Sequence, residues 1–196
     1  MSLRERLTRI RNSRGFGVHS PFAYNLARLV VRPSKGYAYY GYAAIDRTCC
    51  RDRSNTTRDA ARMLLRLLTF LTSSGMLSNH TSLHPLNNWK VFTAADCHPA
   101  FPISIKNADS RFIITHNKKD AADASIIAAD ADIFSLEEWL SLVKSPGRVL
   151  LIAHSTESLI QNLFSEMPEG LLIKGEQNII IIHRPDMQKV SYMMKI

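Results

Sequence analysis

Glycine is scarce in this chain: eight residues in 196, with none between Gly75 and Gly147. A sheet that binds a nucleotide needs a glycine-rich turn after its first strand, where bare backbone N–H groups can approach the ligand. The chain has no GxGxxG, no P-loop and no GxSxG, so dinucleotide, nucleoside-triphosphate and serine-hydrolase sites of those types are excluded. Cysteine is scarcer still. Cys49, Cys50 and Cys97 fit neither a zinc spacing nor a disulfide framework, which leaves reduced thiols as the expectation. No HExxH motif occurs, the strand-end histidines and acids have no such ligand spacing, and no metal is expected. No apolar run reaches bilayer length, and the basic N-terminus lacks a following apolar stretch. A cytoplasmic protein that does not enter the membrane is therefore expected.

What the chain does contain is enough apolar residue for one good core, at 45% hydrophobic and 21% charged. Its charge is unevenly spread. Residues 1–68 carry 14 Lys and Arg against 4 Asp and Glu, whereas residues 69–196 carry 11 against 13. A basic first third on a nearly neutral body points to an acidic partner, nucleic acid included. The expected division is a basic, tyrosine-containing N-terminal helical extension over residues 1–56 and a Rossmann-like domain over 57–196.

Leu3, Leu7 and Ile10 are spaced for a short amphipathic helix, which Gly15 and Gly17 break. Ser20-Pro21 restarts a helix with a serine cap and proline at the first position, and Pro33 ends it. Residues 34–57 read as the least structured part. Their four tyrosines (Tyr37, Tyr39, Tyr40 and Tyr42) lie beside arginines, as in a stacking surface for bases or in a linker packed over the domain. A strongly apolar helix follows over about 57–71, with Arg58, Arg62 and Arg66 along one stripe: a solvated face, or an anion-binding one.

From residue 89 strands and helices alternate. Strands are predicted at Lys90–Ala94, Arg111–Thr115, Ser125–Ala129, Arg148–Ile152, Leu171–Lys174, Asn178–His183 and Val190–Lys195. Ser135 to Glu138 forms a capping box for one helix, and Ser155 or Thr156 caps the next. The alternation predicts an α/β fold with a doubly wound, mainly parallel sheet. The two final runs, separated by Pro185-Asp186, are expected to pair antiparallel at the sheet's edge. If exposed there, Ile179–Ile182 and Tyr192–Ile196 would pair with a second copy and make a homodimer.

Ligands of open α/β sheets bind at the carboxyl ends of the strands. The residues expected there are Asp96, His98, His116, Asp130, Asp132 and His154. Asp96 is placed to accept hydrogen bonds from ribose hydroxyls. His154 is a candidate general base or ligand group, because imidazole titrates near neutrality. The competing expectation at each position is an ordinary helix cap.

The segment Arg14–Val31, RGFGVHSPFAYNLARLVV, resembles the GxHSPF opening of a group of bacterial class I S-adenosylmethionine-dependent methyltransferase-like proteins. Further on, Arg62–Leu71 resembles the helix before that family's cofactor loop, Lys90–Asp96 its second strand, and the stretch from Ile179 to Ile196 its closing strands. The resemblance implies a class I methyltransferase-like fold. In an active member, Thr81 and Ser82 would contact the carboxylate end of S-adenosylmethionine, Asp96 would hold its ribose, and His154 or Asp130 would orient the methyl acceptor. The chain departs from the family at those positions. A motif of the type E-x-G-T-S-x-G is replaced by Asn79-His80-Thr81-Ser82-Leu83-His84, without glycines or acid, and an acidic pair at a later strand end by Ala153-His154. The expectation is a degenerate, non-catalytic member that uses no cofactor and works as a binding or assembly module. An active methyltransferase with an altered site, and a nucleic-acid-binding protein using the basic first third, are the alternatives.

Overall fold

The computed structural model describes residues 21–31, 40–50, 55–73, 89–175, 178–183 and 187–194. The expected helix over residues 1–14, the cap Ser20, Tyr37, Tyr39, Thr81 and Ser82 lie outside them.

Helix α1 (Pro21–Leu26) runs on as a π-helical turn, Ala27–Val31, and is followed by α2 (Tyr42–Cys49) and the long α3 (Asn55–Ser73). The sheet then begins: β1 (Trp89–Phe92), α4 (Ala100–Ala108), β2 (Phe112–Thr115), a 3₁₀ helix (Lys118–Asp123) and β3 (Ile126–Asp130). After these come α5 (Leu136–Lys144), β4 (Val149–Ala153), α6 (Glu157–Glu166), β5 (Leu171–Lys174), β6 (Ile179–Ile182) and β7 (Val190–Met193). The seven strands form one sheet in the order β2-β1-β3-β4-β6-β5-β7. All neighbours are parallel except β6, which runs antiparallel to both β4 and β5.

The period of two along each strand divides the core between the two faces. Val91, Ile126, Val149, Leu151, Leu171, Ile173, Ile180 and Ile182 pack with α1, α3 and α4. Phe92, Ile127, Leu150, Ile152, Leu172, Ile179 and Ile181 pack on the other face with Trp139, Leu142 and Val143 of α5 and Ile160 and Leu163 of α6. Strands buried on both faces read as continuous apolar runs, and β4 and β6 do. Ala23, Leu26, Ala27 and Val30 share the first of these cores with the sheet. Truncating one such buried aliphatic side chain to alanine costs about 2–5 kcal/mol.

Helix boundaries follow local chemistry. The capping box of α5 is complete: Ser135 N–H donates to Glu138 Oε2 at 2.7 Å, and Glu138 N–H donates to Ser135 Oγ at 3.3 Å. Thr156, not Ser155, caps α6 by accepting from Leu159 N–H at 3.3 Å. Gly147, at φ 72°, forms the turn into β4 that Pro146-Gly147 predicts.

The C-terminal arrangement differs from expectation. Ile179–Ile182 and Val190–Met193 are not neighbours, because β5 lies between them. The antiparallel contacts of β6 are to β4 and β5, and β7 joins β5 in parallel. Ile179–Ile182 is fully interior, so of the two runs expected at an open edge only β7 is the outermost strand. The stretch read as least structured also contains α2, whose Ile45 and Cys49 are buried against Ala61 and Leu65 of α3 and Ala100 of α4.

Candidate functional site

The strand order reverses between β1 and β3, the switch point at which an open α/β sheet presents a crevice. Asp96 and Cys97 follow β1, and Asp130 ends β3. Together with Asp132 and Phe101 they border a small crevice of about 90 Å³ there. The turn out of β1, Thr93 to Pro99, contains no glycine. Burial pushes the Cys97 thiol above its ordinary value, with Asp96 and Asp130 adding in the same direction.

A much larger cleft, about 570 Å³, lies one strand further on, at the carboxyl ends of β3 and β4. Asp130, Asp132, His154, Ser158 and Asn162 supply its polar lining, and Phe134, Leu136 and Leu159 its apolar part. Register brings the two titratable groups together. Asp130 pairs directly with Ala153 across the sheet, so His154, the next residue, stands beside it. His154 Nδ1 lies 3.0 Å from Asp130 Oδ1, both side chains being about half exposed at 54% and 46%. A carboxylate only accepts, so this contact places the proton on Nδ1 and leaves Nε2 as an acceptor in the neutral ring.

The backbone at this point is unusual. His154 has φ 52°, and among the described residues no other non-glycine residue has a positive φ. The left-handed region costs an L-residue roughly 1–2 kcal/mol, although histidine visits it more readily than most. This conformation turns the chain sharply between β4 and the cap of α6.

The apolar wall is held by aromatic packing. Trp139, fully buried, donates its indole N–H to Ala131 O at 2.9 Å, which ties α5 to the loop after β3. Phe134 meets it edge-on with centroids 4.8 Å apart, and the Lys118 ammonium lies 5.1 Å from the Phe134 ring centroid. Lys118 also pairs with Glu138 at 2.8 Å and, with the Ser135 N–H, holds that carboxyl below its usual range. Leu136, the first residue of α5, is 44% exposed at the cleft.

The other strand-end histidines hold structure. His98 Nδ1 accepts from Ala100 N–H at 3.1 Å at the start of α4. His116 Nδ1 lies 3.0 Å from Thr93 O and 3.1 Å from Thr93 Oγ1, which ties the end of β2 to β1. His183, buried, contacts Ser145 O at 2.8 Å through Nδ1. Of the expected site residues, then, His154 and Asp130 meet in the cleft, Asp96 sits in the smaller crevice with Asp130, and Thr81 and Ser82 fall outside the described residues. Among the described residues no group of three or more His, Cys, Asp or Glu could hold a metal ion.

The arginine stripe of α3 faces inward in part. Arg66 is 9% exposed; it donates to Val30 O and, at 2.6 Å, to Tyr42 Oη. Arg62 forms a bidentate pair with Asp46 at 2.9 and 2.5 Å and lies 4.9 Å from the Tyr42 ring centroid. These two cations bind α1 and α2 to α3, which withdraws them from the anion-binding face considered above. No helix among the described residues is long and apolar enough to cross a membrane. No protein-family model matches the chain, and no curated protein matches it in sequence.

Proposed function

We propose that the chain is a class I methyltransferase-like protein that does not transfer methyl groups and acts as a binding or assembly module. One observation carries most of the support. If β1 corresponds to the family's second strand, as the resemblance implies, the 3-2-1-4 order of a doubly wound sheet requires the first strand, with its cofactor turn, to lie beside it. Both edges of β1 are taken by other strands. β2 pairs along one side, and on the other Val91 and Phe92 pair with Ile126 and Ile127 of β3. Ser125 N–H also donates to Lys90 O at 3.1 Å.

Further support comes from the crevice by Asp96. At about 90 Å³ it is well below the roughly 300–1,000 Å³ of small-molecule sites, and every residue of the adjoining turn carries a β-carbon. These residues do not fit an adenosyl group. Isothermal calorimetry with S-adenosylmethionine tests the reading. No heat of binding is expected at millimolar ligand, and micromolar affinity would overturn it.

A second reading has its own support. The His154–Asp130 pair opens onto a cleft of ligand size, an arrangement suited to accepting a proton from a bound hydroxyl or amine. On that reading the chain is an active S-adenosylmethionine-dependent methyltransferase, and S-adenosylmethionine should raise its melting temperature, as any ligand selective for the native state must. An unchanged melting temperature at millimolar ligand counts against it.

A further inference from the structure

We infer that the cleft between β3 and β4 binds a small molecule that joins a protonated amine to an apolar body of about the size of one aromatic ring. This deepens the reading of the chain as a binding module and rests on it.

Volume comes first. About 570 Å³ is within the range of small-molecule sites, whereas the switch-point crevice is not. Charge selects the head group. The cleft is lined by the carboxylates of Asp130 and Asp132 and, among the described residues, by no lysine or arginine. The Lys118 ammonium, which lies 5.1 Å from the Phe134 ring centroid, is already paired with Glu138. One of the two carboxylates is engaged by the imidazole, through Asp130 Oδ1. Asp132 is exposed at the cleft and, among the described residues, enters no ion pair. An anion entering here would meet net negative charge and, among the described residues, no lining cation, whereas an ammonium would meet Asp132 and the second oxygen of Asp130.

The remaining lining selects the body. Leu136 is 44% exposed, and Leu159 and Phe134 continue the same wall, so a ligand that covers them removes apolar surface from water. Ser158 and Asn162 lie on the α6 side, where they can hydrogen-bond a polar substituent. The wall is pre-formed: Trp139 and Phe134 are buried and packed edge-on, and the indole N–H is already satisfied by Ala131 O. Little ordering remains to oppose binding.

The test uses the full chain, labelled with ¹⁵N, and three probes that differ in the head group: 2-phenylethylamine, 2-phenylethanol and 3-phenylpropionate. The amine is expected to shift amide resonances in residues 130–136 and 154–162 with millimolar affinity, the alcohol more weakly, and the carboxylate not at all. Asp132→Asn should weaken the amine roughly fivefold, the scale of an exposed ion pair, and bring it level with the alcohol. Asp123→Asn, at the amino end of the same sheet, should leave binding unchanged. Equal binding of amine and carboxylate, no response of these amides at tens of millimolar amine, or an Asp132→Asn variant as tight as the parent would each overturn the inference. Failure here leaves the module reading intact; S-adenosylmethionine binding removes that reading, whatever the amines do.

Discussion

His154 Nδ1 lies 3.0 Å from Asp130 Oδ1, and the residue that makes this contact has a left-handed backbone at φ 52°. The two facts are linked through the sheet register. Ala153 faces Asp130 across β3 and β4, so a regular extended step after Ala153 would carry the imidazole past the carboxylate. The left-handed turn keeps it there while the chain reverses towards Thr156 and the start of α6.

The cost of that turn is measurable. His154→Gly and His154→Ala both lose the contact with Asp130, and they differ in how well they tolerate φ 52°. Glycine should be the more stable of the two by about 1 kcal/mol in urea unfolding, and His154→Val should fall below both. An alanine variant as stable as the glycine one would mean that the chain relaxes out of this conformation at little cost.

Arg66 offers a larger effect. Its guanidinium satisfies the Val30 carbonyl at the end of the π-helical turn and the Tyr42 hydroxyl, and it is 9% exposed. Arg66→Ala removes the donor to the carbonyl of fully buried Val30 and should destabilise by about 1–3 kcal/mol. Tyr42→Phe, which removes one of the partners, should cost about 1 kcal/mol. Equal losses for the two variants would show that the Val30 contact contributes nothing.

The alternation of strands and helices was legible because it is written in local periodicity. Leu171–Lys174 matches its predicted bounds, and the other strands shift by only one or two residues. The α5 cap was legible because Ser135 and Glu138 have the spacing at which each can bond the other's backbone. Strand order was not. Ile179–Ile182 is apolar whether it lies at an edge or in the middle, and only its antiparallel insertion between β4 and β5 distinguishes the two. Helix α2 was missed because Tyr42, Ile45 and Cys49 have helical spacing inside a stretch whose glycines, arginines and tyrosines suggest a linker. The strand-end rule offered His154 and Asp130 among six residues, and that these two meet follows only from the β3–β4 register. The cleft around them depends on Phe134, buried against Trp139 of α5, and on Leu136, which the start of α5 leaves exposed.

Gly41 sits where α2 closes against α3 and α4. A β-carbon there would stand 2.8 Å from Leu65 Cδ2 and 2.9 Å from Asn107 Cβ. Leu65 can swing its terminal methyl aside, but Asn107 Cβ is fixed to the backbone of α4. Overpacking of this kind costs about 1–3 kcal/mol, against roughly 0.4–1 kcal/mol returned by stiffening the unfolded chain. Gly41→Ala should therefore lower stability by about 1 kcal/mol in chemical denaturation. A gain in stability would mean that α2 shifts freely on α4.

The three thiols should react in order of exposure and acidity. Cys50 is exposed, Cys97 is half-buried with its thiol pushed up by burial, and Cys49 is buried. At pH 8 Cys50 should alkylate first and Cys97 more slowly, because burial limits access to its thiol and depresses its thiolate fraction. Mass spectrometry of partially labelled chains gives the order. Labelling of Cys97 as fast as Cys50 would show that the crevice beside Asp96 opens to solvent.

Acid should weaken the fold through carboxylates whose pKa is held down. Asp109 accepts from the Arg111 side chain at 3.0 and 2.7 Å and from the Arg111 backbone N–H at 2.9 Å, and these bonds hold its carboxyl below the ordinary range. Glu138 and Glu166 shift the same way, through Lys118 and Lys144 first. The folded pKa is the lower one, so the full contribution is present above the unfolded value of about 3.9 for Asp. Below that, the unfolded chain takes up the proton first, and the contribution fades until pH has passed the folded value. Arg111 is 62% exposed, so solvent screening keeps the Asp109 share below about 1 kcal/mol. Urea midpoints for the parent and Asp109→Asn should therefore differ at pH 7 and converge towards pH 3. A gap that stays constant from pH 6 to pH 3 would mean that the Asp109–Arg111 contact does not distinguish the folded chain from the unfolded one.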